Sequence, residues 1–282
     1  MHSLNFSRAA FCLAAVILPA GSAHAEGVEA GADALAGIAA DDRPLGNGDD
    51  RFSGGFLPSV QFDPGSFVVQ VDGMLFEHRK DTSYGGALHA GLRTGDRGFV
   101  GAYGSISTLR SLGGLETYRI GGEFSQTWND FTLAAVAGHE HTERAVQYVT
   151  TTATDDVYAV YGRGGHFFAF ADLKYQPSDK FRLSVGYRYT GDVHAAAAGV
   201  GVGLSHNASI IAEGRLGQHD YKAGFIGLRI LFGGADGEPS KLLDNRLIED
   251  LFSESNTRRI LLDPLPPPPP TGGCGSCGGY CD

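Results

Sequence analysis

The sequence is short of charge. Asp, Glu, Lys and Arg make up 19% of its 282 residues, against about a quarter in an ordinary soluble domain. The charge present is mostly acidic, 32 acids to 22 bases. That excludes the basic face a nucleic-acid binder needs. Long apolar runs are missing too. Beyond the N-terminus none reaches the roughly 18 residues of a transmembrane helix. Cysteine is nearly absent: Cys12 stands near the start, and Cys274, Cys277 and Cys281 lie in the last nine residues. The body of the chain therefore has no disulfide framework. It also lacks G-x-S-x-G and H-E-x-x-H, so neither a nucleophile elbow nor a zincin helix is on offer. What is abundant is Gly (42), Phe (17) and Tyr (11), a composition that favours β structure.

Arg8, the apolar run 9–20 and Ala23-His24-Ala25 read as a secretory signal peptide over residues 1–25. Charge then divides the mature chain. Residues 26–65 hold eight acids and two bases, 66–233 hold sixteen and fifteen, and 234–282 hold eight and four. A near-neutral body between two acidic tails is the expected organisation, with 26–65 an acidic flexible segment.

The body alternates with period two. Tyr118, Ile120, Gly122 and Phe124 oppose Arg119, Gly121, Glu123 and Ser125; Phe181, Leu183, Val185, Tyr187 and Tyr189 oppose Arg182, Ser184, Gly186 and Arg188. Such alternation is strand, with one apolar and one polar face. Ten segments are expected: 67–78, 84–94, 98–108, 115–127, 131–141, 157–175, 181–190, 194–204, 208–217 and 221–232. Most have the 9–11 residues a tilted strand needs to cross a bilayer. A soluble sandwich and a membrane barrel both fit this periodicity, and three features favour the barrel. Charges sit mid-strand on the polar face. The apolar face has charge only at strand ends, at Glu77 and Lys222. Aromatics gather near strand ends (Phe67, Phe76, Tyr84, Tyr118, Trp128, Tyr175, Phe181, Tyr189, Phe232), as in the paired girdles of membrane barrels.

Gly227, Ile230 and Phe232 in the last strand resemble the C-terminal assembly signal of outer-membrane barrels. Phe225 stands where that signal has a polar residue, and the chain continues beyond Phe232. On these features residues 66–233 resemble a small outer-membrane β-barrel of the porin-like or opacity type of Gram-negative bacteria. The resemblance implies an all-β, antiparallel, up-and-down transmembrane barrel of about ten strands. It implies outer-membrane lipid and the barrel assembly machinery as partners; the missing catalytic motifs argue against an enzyme. An even strand count puts both termini in the periplasm, and residues 142–156 form the one long outward loop.

The expected lumen face carries Arg93, Arg119, Arg182, Arg188, Arg215 and Arg229 against Asp72, Glu123, Asp172 and Glu213. Two readings are open: a satisfied ion-pair network closing the barrel, or a narrow, mildly anion-preferring channel. Ala195, Ala197, Gly199, Gly201 and Gly203 leave one wall bare, with room for a channel, bulky side chains or an inserted tail. His139-Glu140-His141 is read as an interfacial surface pair flanking one inward acid, not as a catalytic or metal site.

The tail 234–282 has three parts. Leu242, Leu243, Leu247, Ile248, Leu251 and Phe252 recur at helical spacing, so an amphipathic helix is expected over 240–253, covering the mouth or serving as a docking or plug element. Pro264 and Pro266 to Pro270 make a stiff polyproline spacer. Cys274, Cys277 and Cys281 form a disulfide in an oxidising envelope, leaving one thiol for a periplasmic partner, or bind a soft metal such as Cu(I) or Zn.

Overall fold

The computed structural model describes residues 27–40, 51–78, 81–95, 97–110, 114–162, 164–218, 221–232, 242–244, 246–251 and 259–264. The strands are β1 (Val28–Ala40), β2 (Arg51–Phe62), β3 (Phe67–His78), β4 (Asp81–Arg93), β5 (Gly98–Leu109), β6 (Leu115–Trp128), β7 (Phe131–Thr142), β8 (Ala145–Thr151), β9 (Asp155–Tyr161), β10 (Gly164–Ser178), β11 (Phe181–Thr190), β12 (Val193–Gly203), β13 (Ala208–Gly217), β14 (Lys222–Phe232) and β15 (Arg259–Pro264). One helical turn, α1, covers Ile248–Leu251.

Twelve of these strands close an antiparallel barrel, in which β14 pairs with β1 and β7 with β10. The expectation of about ten is corrected by β1 and β2, which lie in the segment read as flexible and acidic. The strand signal there is weak because the middle of the outward face of β1 is built of small residues, Ala32, Ala34 and Ala36, opposite Ile230, Leu228 and Ile226 of β14. β2 even contains Pro58, which has no N–H for a ladder. Pairing with β3 skips from Phe56↔Leu75 to Ser59↔Asp72, and Gly73 makes room for the Pro58 ring.

The expected strand 157–175 is two strands. The chain turns at Gly162 and Gly164, both at positive φ (89° and 94°), a conformation glycine adopts without steric cost. β9 therefore leaves the barrel and pairs with β8, so the expected loop 142–156 is largely a hairpin. β15 adds a third strand to it. The expected helix over 240–253 is also corrected. Leu242–Asp244 are non-helical, and α1 is the one turn formed among the described residues. Asp244, Arg246 and Glu249 pair with side chains of the barrel wall, so the described part of the segment follows the wall.

The barrel exterior is a band of exposed apolar side chains, among them Val71, Leu88, Val100, Ile120, Val185 and Ile226. Phe62, Phe67, Trp128, Phe131, Tyr175, Phe181 and Phe232 ring the end with the short turns; Tyr84, Phe167 and Tyr187 lie toward the other end. Phe76 departs from the expected girdle and points inward, 4% exposed. Residues 27 and 232 lie at the short-turn end. The opposite end carries the connections 41–50 and 143–163 and the three-stranded sheet.

Candidate functional site: a lumen filled by side chains and by the chain's own C-terminal segment

Alternation turns one residue in two of every barrel strand inward. In a lumen these charges need partners, and the interior divides into three groups.

The first spans β3, β4 and β6. His89 stands between two carboxylates, with Nδ1 2.7 Å from Glu123 Oε2 and Nε2 3.0 Å from Asp72 Oδ2. Its ring tilts against Tyr103 at 5.0 Å, and Tyr103 meets Phe168 edge-on. The second lies toward the long-loop end. Arg119 Nε donates to Glu140 Oε2 at 2.6 Å, Thr190 Oγ1 donates to the same oxygen at 2.8 Å, and the guanidinium lies over Phe168 and Phe170. Glu140 is thus an inward, buried acid, while His139 and His141 are exposed on the outer face; the three do not converge on one site.

The third group joins the wall to the C-terminal segment. Gln70 Nε2 donates to the Leu243 carbonyl at 3.0 Å, and the Leu243 N–H donates to Gln70 Oε1 at 2.8 Å. Lys174 pairs with Asp244. Arg246 and Arg188 share Asp172, at 3.3 and 2.7 Å. Glu249 takes Arg215 Nη1 at 2.8 Å and lies 2.9 Å from Arg188 Nε. Glu213 completes the cluster, 2.7 Å from Arg215 Nε and 3.5 Å from Arg188. Leu247, between these ion pairs, has no exposed surface.

The remaining expected lumen residues lie nearer the short-turn mouth. Arg93 forks onto Asp63 at 2.9 and 2.7 Å. Arg229 forks onto Asp33, its register partner across the β1–β14 seam, at 2.7 and 2.6 Å. Arg182 extends beside Gly201, which with Gly199 gives the flanking side chains of β11 and β13 their space. Arg93, Arg182, Arg229, Lys174, Asp244 and Arg246 line a vestibule of about 1270 Å³ at this mouth. A void of about 80 Å³ remains between α1 and the wall. Gly227 packs at the seam against Leu35, with Ile230 and Phe232 outward. Cys274, Cys277 and Cys281, and residues 1–25 expected to be a signal peptide, lie outside the described residues.

Alternation located the wall charges but missed Asp33, Asp63, His89, Glu140, Lys174, Asp244, Arg246 and Glu249 as their partners. Only Glu140 carried a signal, as an acid of inward parity on a strand whose alternation was read.

No protein-family model matches the sequence, and no curated protein matches it significantly. Solved structures similar to it include a KdgM porin in complex with disordered oligogalacturonate (10% identity, TM-score 0.48, covering 71% of this chain and 98% of that one). They also include the outer-membrane protein Omp33 of Acinetobacter baumannii (13%, 0.43, 73% and 100%). A third is an outer-membrane channel of Pseudomonas putida F1 (8%, 0.48, 73% and 95%). This chain is a closed antiparallel barrel with an apolar belt, similar to outer-membrane porins and channels.

Proposed function

We propose that the protein is an outer-membrane, porin-like channel for small solutes, closed at rest by its own C-terminal segment. The observation that carries the reading is the third lumen group: Leu242 to Glu249 run inside the barrel, bonded to strands of its wall. The apolar belt supports a membrane setting, because a closed sheet satisfies every strand hydrogen bond in lipid. Short turns at one end and longer connections at the other support a periplasmic and an outer face, respectively.

The lumen would open beside the Tyr103–Phe168–Phe170 wall once the segment leaves. Along the emptied wall Arg93, Arg119, Lys174, Arg182, Arg188, Arg215 and Arg229 stand against Asp33, Asp63, Asp72, Glu123, Glu140, Asp172 and Glu213. That near balance gives no strong preference for either sign of ion. The charged network and the channel are then two states of one lumen. The reading implies lipid around the belt and the barrel assembly machinery acting on β14.

Single-channel recording of the mature protein, full length and ending at Gly234, tests this. Current that is small or absent in the full chain and steady in the shortened one is expected. Equal steady current in both forms would contradict closure by the tail. Silence in both, with heat-modifiable migration showing a folded barrel, would overturn the channel.

A further inference from the structure

We infer that the C-terminal segment threads the barrel from end to end, so that the residues after Pro264, with all three tail cysteines, are displayed on the long-loop face, opposite the N-terminus. The inference rests on the membrane setting proposed above and goes beyond closure of the lumen. A plug could enter and end, or fold back; this segment crosses.

Its anchors climb the wall in sequence order. Leu242 packs on Gly31 near the short-turn end, where a Cβ would lie 2.8 Å from the Leu242 Cδ1. Leu243 bonds Gln70, close to the start of β3 at that same end. Asp244 and Arg246 meet Lys174 and then Asp172, successive inward positions of β10 on the way up. Glu249 reaches Arg188 and Arg215, both close to the long-loop ends of β11 and β13.

The chain next appears beyond that end. β15 pairs with β9 in antiparallel register, from Arg259↔Val160 to Pro264↔Asp155. β9 runs from the hairpin tip down to the rim, where Tyr161 joins the same buried cluster as Leu109, Leu115 and Ala145. β15 therefore runs from the rim outward, and Pro264 stands near the tip. Residues 252–258 bridge Leu251 and Arg259, a reach of at most about 28 Å when fully extended. A route back down the lumen and up the outside would need roughly twice a barrel height of about 25–35 Å. Only passage out of the long-loop mouth closes the chain. Pro266 to Pro270 and then Cys274, Cys277 and Cys281 come next in the sequence.

The cysteines provide the test, since the mature chain has no others. Intact cells expressing the full protein are treated with an impermeant phosphine reductant and an impermeant maleimide. Two reporters are built on a background with the tail cysteines changed to Ser: Ala153→Cys at the exposed hairpin tip and Ser205→Cys in the exposed β12–β13 turn. The native tail is expected to label on intact cells as Ala153→Cys does, while Ser205→Cys labels only after the outer membrane is permeabilised. An epitope appended after Asp282 is expected to bind antibody on intact cells, which reads the same topology without thiols. If the reporters sort this way but tail and epitope are reached only after permeabilisation, threading is overturned. If the reporters themselves fail to sort, the membrane setting falls, and the inference with it.

Discussion

The side-chain amide of Gln70 holds the backbone of Leu243 at both its donor and its acceptor, 173 positions away in sequence. Gln70 has no exposed surface, and its amide also donates to Asp72 Oδ1 at 2.9 Å. A buried carboxamide here takes the place of a ladder strand for a segment that has none. Gln70→Ala removes both bonds and leaves a peptide group buried without them, at about 1–3 kcal/mol. In recordings of the full-length chain the variant is expected to raise the open fraction by roughly 5- to 150-fold. An unchanged trace would show that the pair does not hold the segment.

Glu249 sits between two guanidiniums. Glu249→Gln removes the charge by which α1 holds Arg188 and Arg215, replacing charge-assisted bonds with neutral ones. It is expected to release the segment more completely than Gln70→Ala while leaving the barrel folded, because Asp172 and Glu213 still face both arginines. Protease susceptibility of the tail in detergent, beside heat-modifiable migration of the barrel, separates the two effects.

Asp244 ties the segment to Lys174 of β10. Asp244→Asn removes that charge pair and is expected to raise the conductance of the full-length chain at neutral pH. Conductance no higher than that of the native chain would show that this pair does not hold the segment.

Gly186 faces the lumen where Asp172 meets Arg188. A Cβ there would lie 2.2 Å from Asp172 Oδ1 and 2.6 Å from Arg188 Nη1. Gly186→Val is expected to break that pair and lower the urea midpoint of the refolded barrel. Gly214→Val, where an added Cβ meets nothing within 4 Å, should not.

The two faces of one strand should respond oppositely to charge. Ile120, 69% exposed on the outer face of β6, becomes costly to replace in lipid: Ile120→Arg is expected to destabilise the barrel in vesicles, by up to about 4 kcal/mol. Its neighbour Arg119 is native, buried and paired. A neutral Ile120→Arg would argue against lipid contact.

The ten barrel strands of the body were legible, save that β9 was run into β10, because bulky apolar residues such as Ile120 and Phe124 alternate with polar ones. β1 escaped because Ala32, Ala34 and Ala36 satisfy the same geometry with little hydrophobic contrast, and β2 because Pro58 breaks its pattern. The heptad-like leucines at 242–251 predicted a helix. The lumen overrode that spacing, since Leu243 gains two bonds from Gln70 in a non-helical conformation. The wall charges could be placed from parity alone. Their partners could not, because Asp172 meets Arg246 and Arg215 meets Glu249 only when a segment far along the chain enters the barrel. Periodicity reports which face a side chain takes, not which remote segment will come to meet it.

Amide hydrogen exchange of the refolded full-length protein tests the occupied lumen most directly. Peptides covering Leu242 to Glu249 are expected to exchange as slowly as those of β11 and β13. Exchange of that segment as fast as the chain's terminal residues, with the barrel strands still protected, would contradict a C-terminal segment held inside the barrel.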